Sequence, residues 1–393
     1  MSPNGWFKKG LKKTINKGIE NNDFPYFTNT PHIIQHGFNY ERGFSNYLWI
    51  IGQENDVLYS FPETVEFPCS ADKLRAQAVN LIPHLRTTAQ RKSEEDCFAP
   101  RTMTEACLWL EKNYNRGDFF LWIDTFDPHE PWDPPEYYVD LYDPGYTGER
   151  IIYPKYFPIQ YFTDEEIKHC RAMYYGEATM VDRWIGRVLE QVDYLGLRDN
   201  TAVIFTSDHG IIFGEHGFIG KSFISDEYFE TIRLYEEIIQ VPLIIRMPEQ
   251  TKQHRVSGLV TSTDLMPTVM EILDLVDTAR EGGTTLIQTL QCGFTQPGHW
   301  TVEIEKLHGI SFLTMMDGKK EKIHDMIISS FPLTHGTPRL DKSVITTEEW
   351  SLHVSGIPRN SGKEPAPPKG LPYSTKPEDY KPGETRAALF HLP

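Results

Sequence analysis

Cysteine is scarce in this sequence, and the few cysteines are not arranged in pairs. Five cysteines, an odd number, are scattered along 393 residues. Small secreted domains that depend on disulfides, and zinc sites built from Cys-x-x-Cys pairs, need cysteines at short and regular spacings. The sequence therefore indicates neither a disulfide framework nor a zinc knuckle.

Long hydrophobic runs are absent as well. No apolar stretch reaches the roughly 18 residues that a transmembrane helix needs, so we expect no membrane partner. The amino terminus carries charged residues but lacks the apolar core of a secretory signal. The sequence as it stands is thus expected to be cytoplasmic, whereas the native compartment and the oligomeric state stay open.

Positive charge is in the minority. The chain has 39 Lys and Arg residues against 55 Asp and Glu residues, a net charge of −16. A nucleic-acid partner requires a basic face, so this balance argues against one. A small anionic substrate remains compatible with it, because a metal ion and one lysine can reverse the electrostatic field locally.

The sequence does contain alternating strand-like and helix-like segments. Three short apolar runs are typical of buried strands: residues 119–123, 202–205 and 242–245. Four other segments have helical spacing: residues 102–114, 163–195, 232–238 and 266–275. This alternation predicts an α/β fold, with a mostly parallel sheet and helices on both faces. Shorter alternating runs later in the chain predict a small C-terminal antiparallel α+β subdomain, so we expect domains over residues 1–292 and 293–393.

The end of the run at residues 202–205 is the most informative place in the chain. Asp208, His209 and Gly210 follow it at once, and Lys221 comes after a glycine-rich loop. Open α/β sheets bind ligands just beyond the carboxyl ends of their strands. Gly210 lets the backbone turn, so Asp208 and His209 can face one metal ion, and Lys221 can supply a cation for an anionic group. A polar turn with a capping aspartate is the alternative.

A second candidate loop follows the run at residues 119–123. His129 stands between Pro128 and Pro131, which restrict the backbone on either side of it. A histidine held in this way suits hydrogen bonding to a substrate or protonation of a leaving group. A packed structural histidine is the alternative.

Several motifs point together to one family. They are Ser-Asp-His-Gly at residues 207–210, Gly-Glu-His-Gly at 214–217, Gly-Lys at 220–221 and Asp-Pro-His-Glu-Pro-Trp at 127–132. In this combination the chain resembles the sulfatases of the alkaline phosphatase superfamily, over roughly residues 28–290.

The resemblance implies a role for five residues. Asp208 and His209 would bind one divalent metal ion, with Ca²⁺ expected first and Mn²⁺ or Zn²⁺ as alternatives. Lys221 would contact the sulfate group, and His129 would be the substrate histidine. His32, ahead of Gly-Phe-Asn at residues 37–39, would be a second substrate-site histidine, with a structural role as the alternative. The implied activity is metal-dependent hydrolysis of a sulfate monoester on a small molecule or a carbohydrate.

Two features of the family are missing from the sequence. Neither the Asp-Asp pair that ends the family's first strand nor its nucleophile motif, Cys/Ser-x-Pro-x-Arg, is present. The nearest match begins at Cys97, but its proline, Pro100, comes one place late, and the segment lies downstream of the family's nucleophile position. We therefore expect a chain truncated at both ends, without the first strand and nucleophile loop, and with weak or no activity.

Two other functions remain open at this point. A phosphodiesterase or phosphonate monoester hydrolase of the same superfamily would use the same Asp–His pair on a different ester. A non-catalytic sulfatase-like protein would keep only the anion-binding pocket.

Overall fold

The computed structural model describes residues 24–31, 40–225, 228–273, 309–330 and 342–355, and short strands at residues 276–277, 286–287, 290–292, 300–302 and 386–391. The described residues form two compact units, one ending at residue 249 and the other starting at residue 250. The domain boundary after residue 292 stays a prediction. His32 lies outside the described residues.

The helices and strands are numbered here in chain order. The helices are α1 (Ile82–Thr88), α2 (Phe98–Asn113), α3 (Glu136–Val139), α4 (Asp164–Tyr194), α5 (Glu236–Ile239), α6 (Leu265–Ile272) and α7 (Leu313–Met316). The strands are β1 (Pro25–Thr28), β2 (Asn46–Trp49), β3 (Trp122–Asp124), β4 (Val203–Thr206), β5 (Ile212–Phe213), β6 (Ile219–Gly220), β7 (Ser222–Ser225), β8 (Tyr228–Thr231), β9 (Leu243–Arg246), β10 (Val276–Asp277), β11 (Leu286–Ile287), β12 (Leu290–Cys292), β13 (Trp300–Val302), β14 (Ile327–Ser330), β15 (Lys342–Thr346), β16 (Trp350–Ser355) and β17 (Arg386–His391).

A three-stranded parallel sheet lies in the first unit, with strand order β2-β1-β3. Tyr26 of β1 pairs with Tyr47 of β2 on one side and with Trp122 of β3 on the other. All four residues of β1 are buried. Parallel neighbours need a long crossover, and β2, α1 and α2 lie in the connection between the neighbours β1 and β3.

Strands β4 and β9 form a separate antiparallel pair in the same unit. Val203 lies opposite Arg246, and Thr206 lies opposite Leu243. Because β4 ends at Thr206, the Asp208 loop begins directly beyond its carboxyl end, as the sequence predicts.

Gly210 fixes the exit of this loop. Its backbone N–H donates to the carbonyl oxygen of Ile238 at 2.8 Å. A Cβ atom at residue 210 would lie 2.1 Å from the carbonyl oxygen of Glu237. Only glycine permits so close an approach of two backbone segments.

The 31-residue helix α4 begins and ends as its sequence predicts. The backbone N–H of Glu166 donates to Thr163 Oγ1 at 3.2 Å, and the Glu166 carboxylate accepts from the N–H of Thr163 at 2.9 Å. This capping box satisfies backbone donors that the first turn of a helix leaves unpaired. Gly196 follows the helix with a φ of +71°, a left-handed conformation that glycine adopts without strain.

The second unit contains α6, α7 and an antiparallel sheet of order β14-β15-β16-β17. Asp264 is fully buried beside the start of α6, where its carboxylate accepts from the N–H of Thr261 and contacts Nε2 of His324 at 2.8 Å. The two units together confirm the predicted α/β class, with a parallel sheet and small antiparallel sheets toward the carboxyl terminus. Within the described part of the chain, no helix is long and apolar enough to cross a bilayer.

Candidate functional site

Three predicted site residues meet at the amine of Lys221. Its Nζ lies 2.8 Å from Nε2 of His129 and 2.7 Å from Nε2 of His209. The two imidazole rings meet edge to face, with centroids 6.0 Å apart. His129 follows β3, His209 follows β4 and Lys221 follows β6, so three separate loops build the cluster. Asp208 adjoins it, with Oδ2 3.7 Å from Nε2 of His209.

The hydrogen bonds of the two histidines assign their tautomers. Nδ1 of His129 lies 2.8 Å from the carbonyl oxygen of Glu130, and Nδ1 of His209 lies 3.0 Å from that of Gly210. A carbonyl oxygen only accepts, so each Nδ1 carries the proton and each Nε2 presents a lone pair. Lys221 therefore donates to both rings, and both rings are neutral.

The surroundings of Lys221 lower its affinity for a proton. Loss of hydration on burial lowers the pKa of Lys221 to about 8. The negative charge of Asp208 opposes this shift, and the positive charge of Arg75 adds to it. The ammonium is still the major form at neutral pH. Burial, and then the charge of Lys221, also lower the pKa of His209, which favours the neutral imidazole that a metal ion requires.

Asp127 anchors the His129 loop through two hydrogen bonds. Its buried carboxylate accepts from Nε2 of Gln53 at 2.7 Å and from the backbone N–H of Ala99 at 2.9 Å. Ala99 lies in the first turn of α2, where backbone N–H groups have no partner within the helix. The ring of Phe126 stacks on the His129 imidazole with centroids 4.1 Å apart. Asp127 thus anchors the loop, and Phe126 holds the imidazole ring.

Arg75 and its partners form a second anchor that the sequence analysis did not identify. The guanidinium is buried between the rings of Tyr153 and Tyr156, 3.8 Å and 4.2 Å from their centroids. It forms an ion pair with Glu130, the residue directly after His129, and the hydroxyl of Tyr156 donates to the same carboxylate. The hydroxyl of Tyr153 donates to Glu54 at 2.6 Å. Apart from Glu130, which lies in the motif at residues 127–132, these residues belong to no motif, and their contacts join distant segments, so only the structure reveals the network.

The chemistry of the donors allows a metal ion at Asp208 and His209. A carboxylate oxygen and a neutral imidazole nitrogen 3.7 Å apart fit two adjacent positions around one divalent ion. Another group of potential metal ligands is found among the described residues. It consists of Glu54, His129 and Glu130, whose ligand atoms lie close enough together to hold one ion. Glu130 is already paired with Arg75, which offsets its charge and makes that group the weaker candidate.

Cys97 has the environment of a packing residue. Its side chain is 3% exposed at the amino-terminal end of α2, and burial raises the pKa of the thiol to about 12. A thiol is a nucleophile only as the thiolate, which this site disfavours. The nucleophile of the implied reaction therefore remains unassigned.

Comparison with known proteins identifies relatives of the chain. A family model described as Sulfatase matches residues 13–275. Arylsulfatase K of Gallus gallus is 27% identical over 194 residues, 49% of this chain and 31% of that protein. The uncharacterized sulfatase YidJ of Escherichia coli is 29% identical over 202 residues, 48% of this chain and 38% of that protein. An ulvan-active sulfatase of Formosa agariphila is 30% identical over 184 residues, 45% and 33% of the respective chains. The matches thus span roughly a third of the length of these relatives.

Solved structures with the same fold are also found. The phosphonate monoester hydrolase of Agrobacterium radiobacter superposes with a TM-score of 0.55 at 16% identity, covering 86% of this chain and 70% of its own. A phosphonate monoester hydrolase of Silicibacter pomeroyi gives a TM-score of 0.50 at 20% identity, covering 88% and 71%. At these identities the likeness establishes the α/β fold alone.

Proposed function

This chain belongs to the sulfatase family, and on that premise we propose that it takes part in the hydrolysis of a sulfate monoester at the cluster around Lys221. The observation that carries the proposal is the position of the Lys221 amine, 2.7 to 2.8 Å from Nε2 of two neutral histidines. A cation held there, next to the carboxyl ends of β3 and β4, suits a small anionic group such as that of a sulfate ester. The substrate would be a sulfate ester of a small molecule or a carbohydrate.

Lys221 and His129 would have different roles in the reaction. Lys221 would pair with an oxygen of the sulfate group, because its ammonium persists at neutral pH. His129 would face the ester oxygen. As the ester bond breaks, Lys221 would pass a proton through Nε2 of His129 to the leaving oxygen and, then a neutral amine, would regain a proton from solvent. His32, which lies outside the described residues, stays a candidate for substrate binding.

Asp208 and His209 would hold the divalent ion. When bound, such an ion neutralises negative charge on the sulfate oxygens and polarises the group for attack. Ca²⁺ is the first expectation, and the imidazole donor of His209 is also suited to Mn²⁺ or Zn²⁺.

A direct assay tests this function. We would measure hydrolysis of a chromogenic aryl sulfate by the protein with added Ca²⁺ or Mn²⁺. The same assay on Asp208→Ala should show loss of turnover. Asp193→Ala is the matched control, since Asp193 pairs with Arg198 and Arg246 and lies outside the cluster. Equal turnover in the Asp208 and Asp193 variants would refute the metal-site assignment.

The alternative of a phosphodiesterase or phosphonate monoester hydrolase rests on His209. A nitrogen ligand favours softer metal ions than an all-oxygen site does, which suits enzymes that act on phosphorus esters. Comparing the turnover of an aryl sulfate with that of an aryl phosphodiester and an aryl phosphonate decides between the two. A preference for either phosphorus ester would overturn the sulfatase proposal.

The alternative of a non-catalytic anion-binding protein rests on Cys97, whose buried thiol supplies no nucleophile. This alternative predicts binding of inorganic sulfate without turnover of any of the three esters. Detectable hydrolysis that is lost in Asp208→Ala would exclude it.

A further inference from the structure

Only one nitrogen of His209, Nε2, can bind a metal ion, and Nε2 already accepts a hydrogen bond from Lys221. Nδ1 of His209 donates to the carbonyl oxygen of Gly210, so the lone pair on Nε2 is its one free coordinating position. The Lys221 ammonium donates to that lone pair at 2.7 Å. A metal ion bound to His209 needs the same lone pair. We propose that Lys221 and the divalent ion compete for Nε2 of His209, and that the ammonium takes this position whenever the ion is absent.

The backbone prevents His209 from avoiding this competition. Exchanging the roles of its two nitrogens would break the hydrogen bond from Nδ1 to the carbonyl oxygen of Gly210. That residue is fixed by its N–H bond to Ile238 and by its close approach to Glu237. The ring therefore keeps Nε2 toward Lys221, and ion and ammonium cannot bind it together.

Lys221 keeps His129 as a hydrogen-bond partner when a metal ion binds His209. Gly220, directly before it, has a φ of +110°, and a Cβ atom there would lie 2.3 Å from the ring of Tyr156. This packing fixes the backbone, so Lys221 can respond by moving its side chain. Nε2 of His129, 2.8 Å from the amine, remains as a partner. The ion would thus release one ammonium N–H while the lysine stays in the cluster.

The ammonium has three N–H groups, two of which bond the histidines, so release from His209 adds one donor to those that can pair with an anion. Metal binding should therefore prepare Lys221 for the sulfate group, and the two ligands should bind more tightly together than separately. This inference rests on the proposed function, because it takes Asp208 and His209 as the metal ligands.

Mn²⁺ titration of the protein tests the competition. Lys221→Met removes the ammonium but keeps the length of the side chain, and should raise Mn²⁺ affinity at least about tenfold, since a hydrogen bond from a charged group no longer has to be broken. Lys155→Met is the control for loss of one positive charge, because Lys155 lies over the ring of Tyr161, outside the cluster, and it should leave the affinity unchanged. An unchanged or weaker affinity in Lys221→Met would overturn the inference.

Asp208→Ala and His209→Ala separate this failure from failure of the proposed function. Mn²⁺ binding should be lost in both variants. If both still bind Mn²⁺ like the unmodified protein, the metal-site assignment is wrong, and the inference falls with it. The same conclusion follows if neither the unmodified protein nor Lys221→Met binds Mn²⁺. Loss of binding in both variants with no gain in Lys221→Met would refute the competition alone.

Nitrogen NMR distinguishes competition for the lone pair from charge repulsion. On addition of diamagnetic Zn²⁺ to ¹⁵N-labelled protein, the signals of His209 Nε2 and Lys221 Nζ should shift together. The proton on Nδ1 of His209 should remain. A shift at His209 with no change at Lys221 Nζ would show that the two were never bonded, and would overturn the proposal.

Discussion

The loop that carries His129 and the loop that carries Asp208 and His209 differ in how the protein holds them. Each follows the carboxyl end of a strand, and each brings one imidazole to Lys221. The first is fixed by two buried acids, Asp127 and Glu130. The second presents the Asp208 side chain at 86% exposure. The His129 side of the cluster is therefore fixed by buried contacts of the fold, whereas the Asp208 side chain, for which we propose a metal-binding role, extends into solvent.

This contrast has an electrostatic side. Glu130 is paired with Arg75 and accepts a hydrogen bond from the hydroxyl of Tyr156, so its charge is balanced inside the protein. Asp208 has the N–H of His209 at 2.8 Å and otherwise faces solvent. Because this carboxylate stays hydrated, the protein pays no large desolvation free energy for its charge. Next to an imidazole lone pair, it can bind a cation.

The largest effect should come from breaking the anchored loop. Glu130→Ala leaves the buried guanidinium of Arg75 without its carboxylate, and we expect a loss of about 3–5 kcal/mol in the free energy of unfolding. Urea denaturation measures it. Glu136→Ala is the matched control, because Glu136 is half exposed and pairs with Arg150 at the surface, where ion pairs contribute little. Equal losses in the two variants would contradict the account of the anchored loop.

The free energy of unfolding should depend on pH because Asp127 is buried. Burial raises the pKa of Asp127 to about 6, above its ordinary value, so the folded protein holds this proton more tightly than the unfolded chain does. Stability should therefore fall as the pH rises from about 4 to about 6, by about 2 kcal/mol from this group. Unfolding free energies measured across this range for the unmodified protein and Asp127→Asn provide the test. Parallel curves would show that the carboxyl does not titrate in the buried position.

A smaller effect should appear where the two loops meet. Lys221→Ala removes the cation between the histidines, and binding of inorganic sulfate should weaken about tenfold or more, as expected for the loss of a charged hydrogen bond. Isothermal titration calorimetry measures the change, with Lys155→Ala as the control. Unchanged sulfate affinity would refute the assignment of the pocket.

The smallest effect should come from the exposed loop. Asp208→Ala should change the free energy of unfolding by less than about 0.5 kcal/mol without divalent ions, because the side chain is mostly hydrated. With Mn²⁺ present, the unmodified protein should gain stability that this variant lacks. Thermal unfolding with and without Mn²⁺ gives both values. A loss without metal as large as that of Glu130→Ala would remove the distinction between the loops.

The sequence predicts the parts of the site that lie in short motifs. Asp208, His209 and Lys221 fall within one stretch of chain, and His129 lies in a motif directly after a strand, so the resemblance of these motifs to those of sulfatases implies their roles. The structure places them in one cluster. Arg75, Glu54 and Tyr153 could not be predicted, because their contacts join segments up to 99 residues apart along the chain.

Some errors of the sequence analysis have local causes. The helix predicted at residues 232–238 is observed as Glu236–Ile239, because Leu234 and Tyr235 are buried outside it and Tyr235 is extended at the helix boundary. The run at residues 202–205 was predicted correctly as a strand, but its apolar residues carry no information about direction. Its observed neighbour, β9, is antiparallel.

Helix α4 gives the first unit a single cooperative framework. Its 31 residues rise about 45 Å along the axis, and they supply Met173 to one hydrophobic cluster and Trp184 to another. Neither cluster can come apart while this helix remains packed, so amide protons in the buried stretch should exchange with solvent only when the whole unit unfolds. Amides of the Asp208 loop, by contrast, can exchange through small local openings. We therefore expect the two clusters to unfold in one transition and the amides of the Asp208 loop to exchange without it.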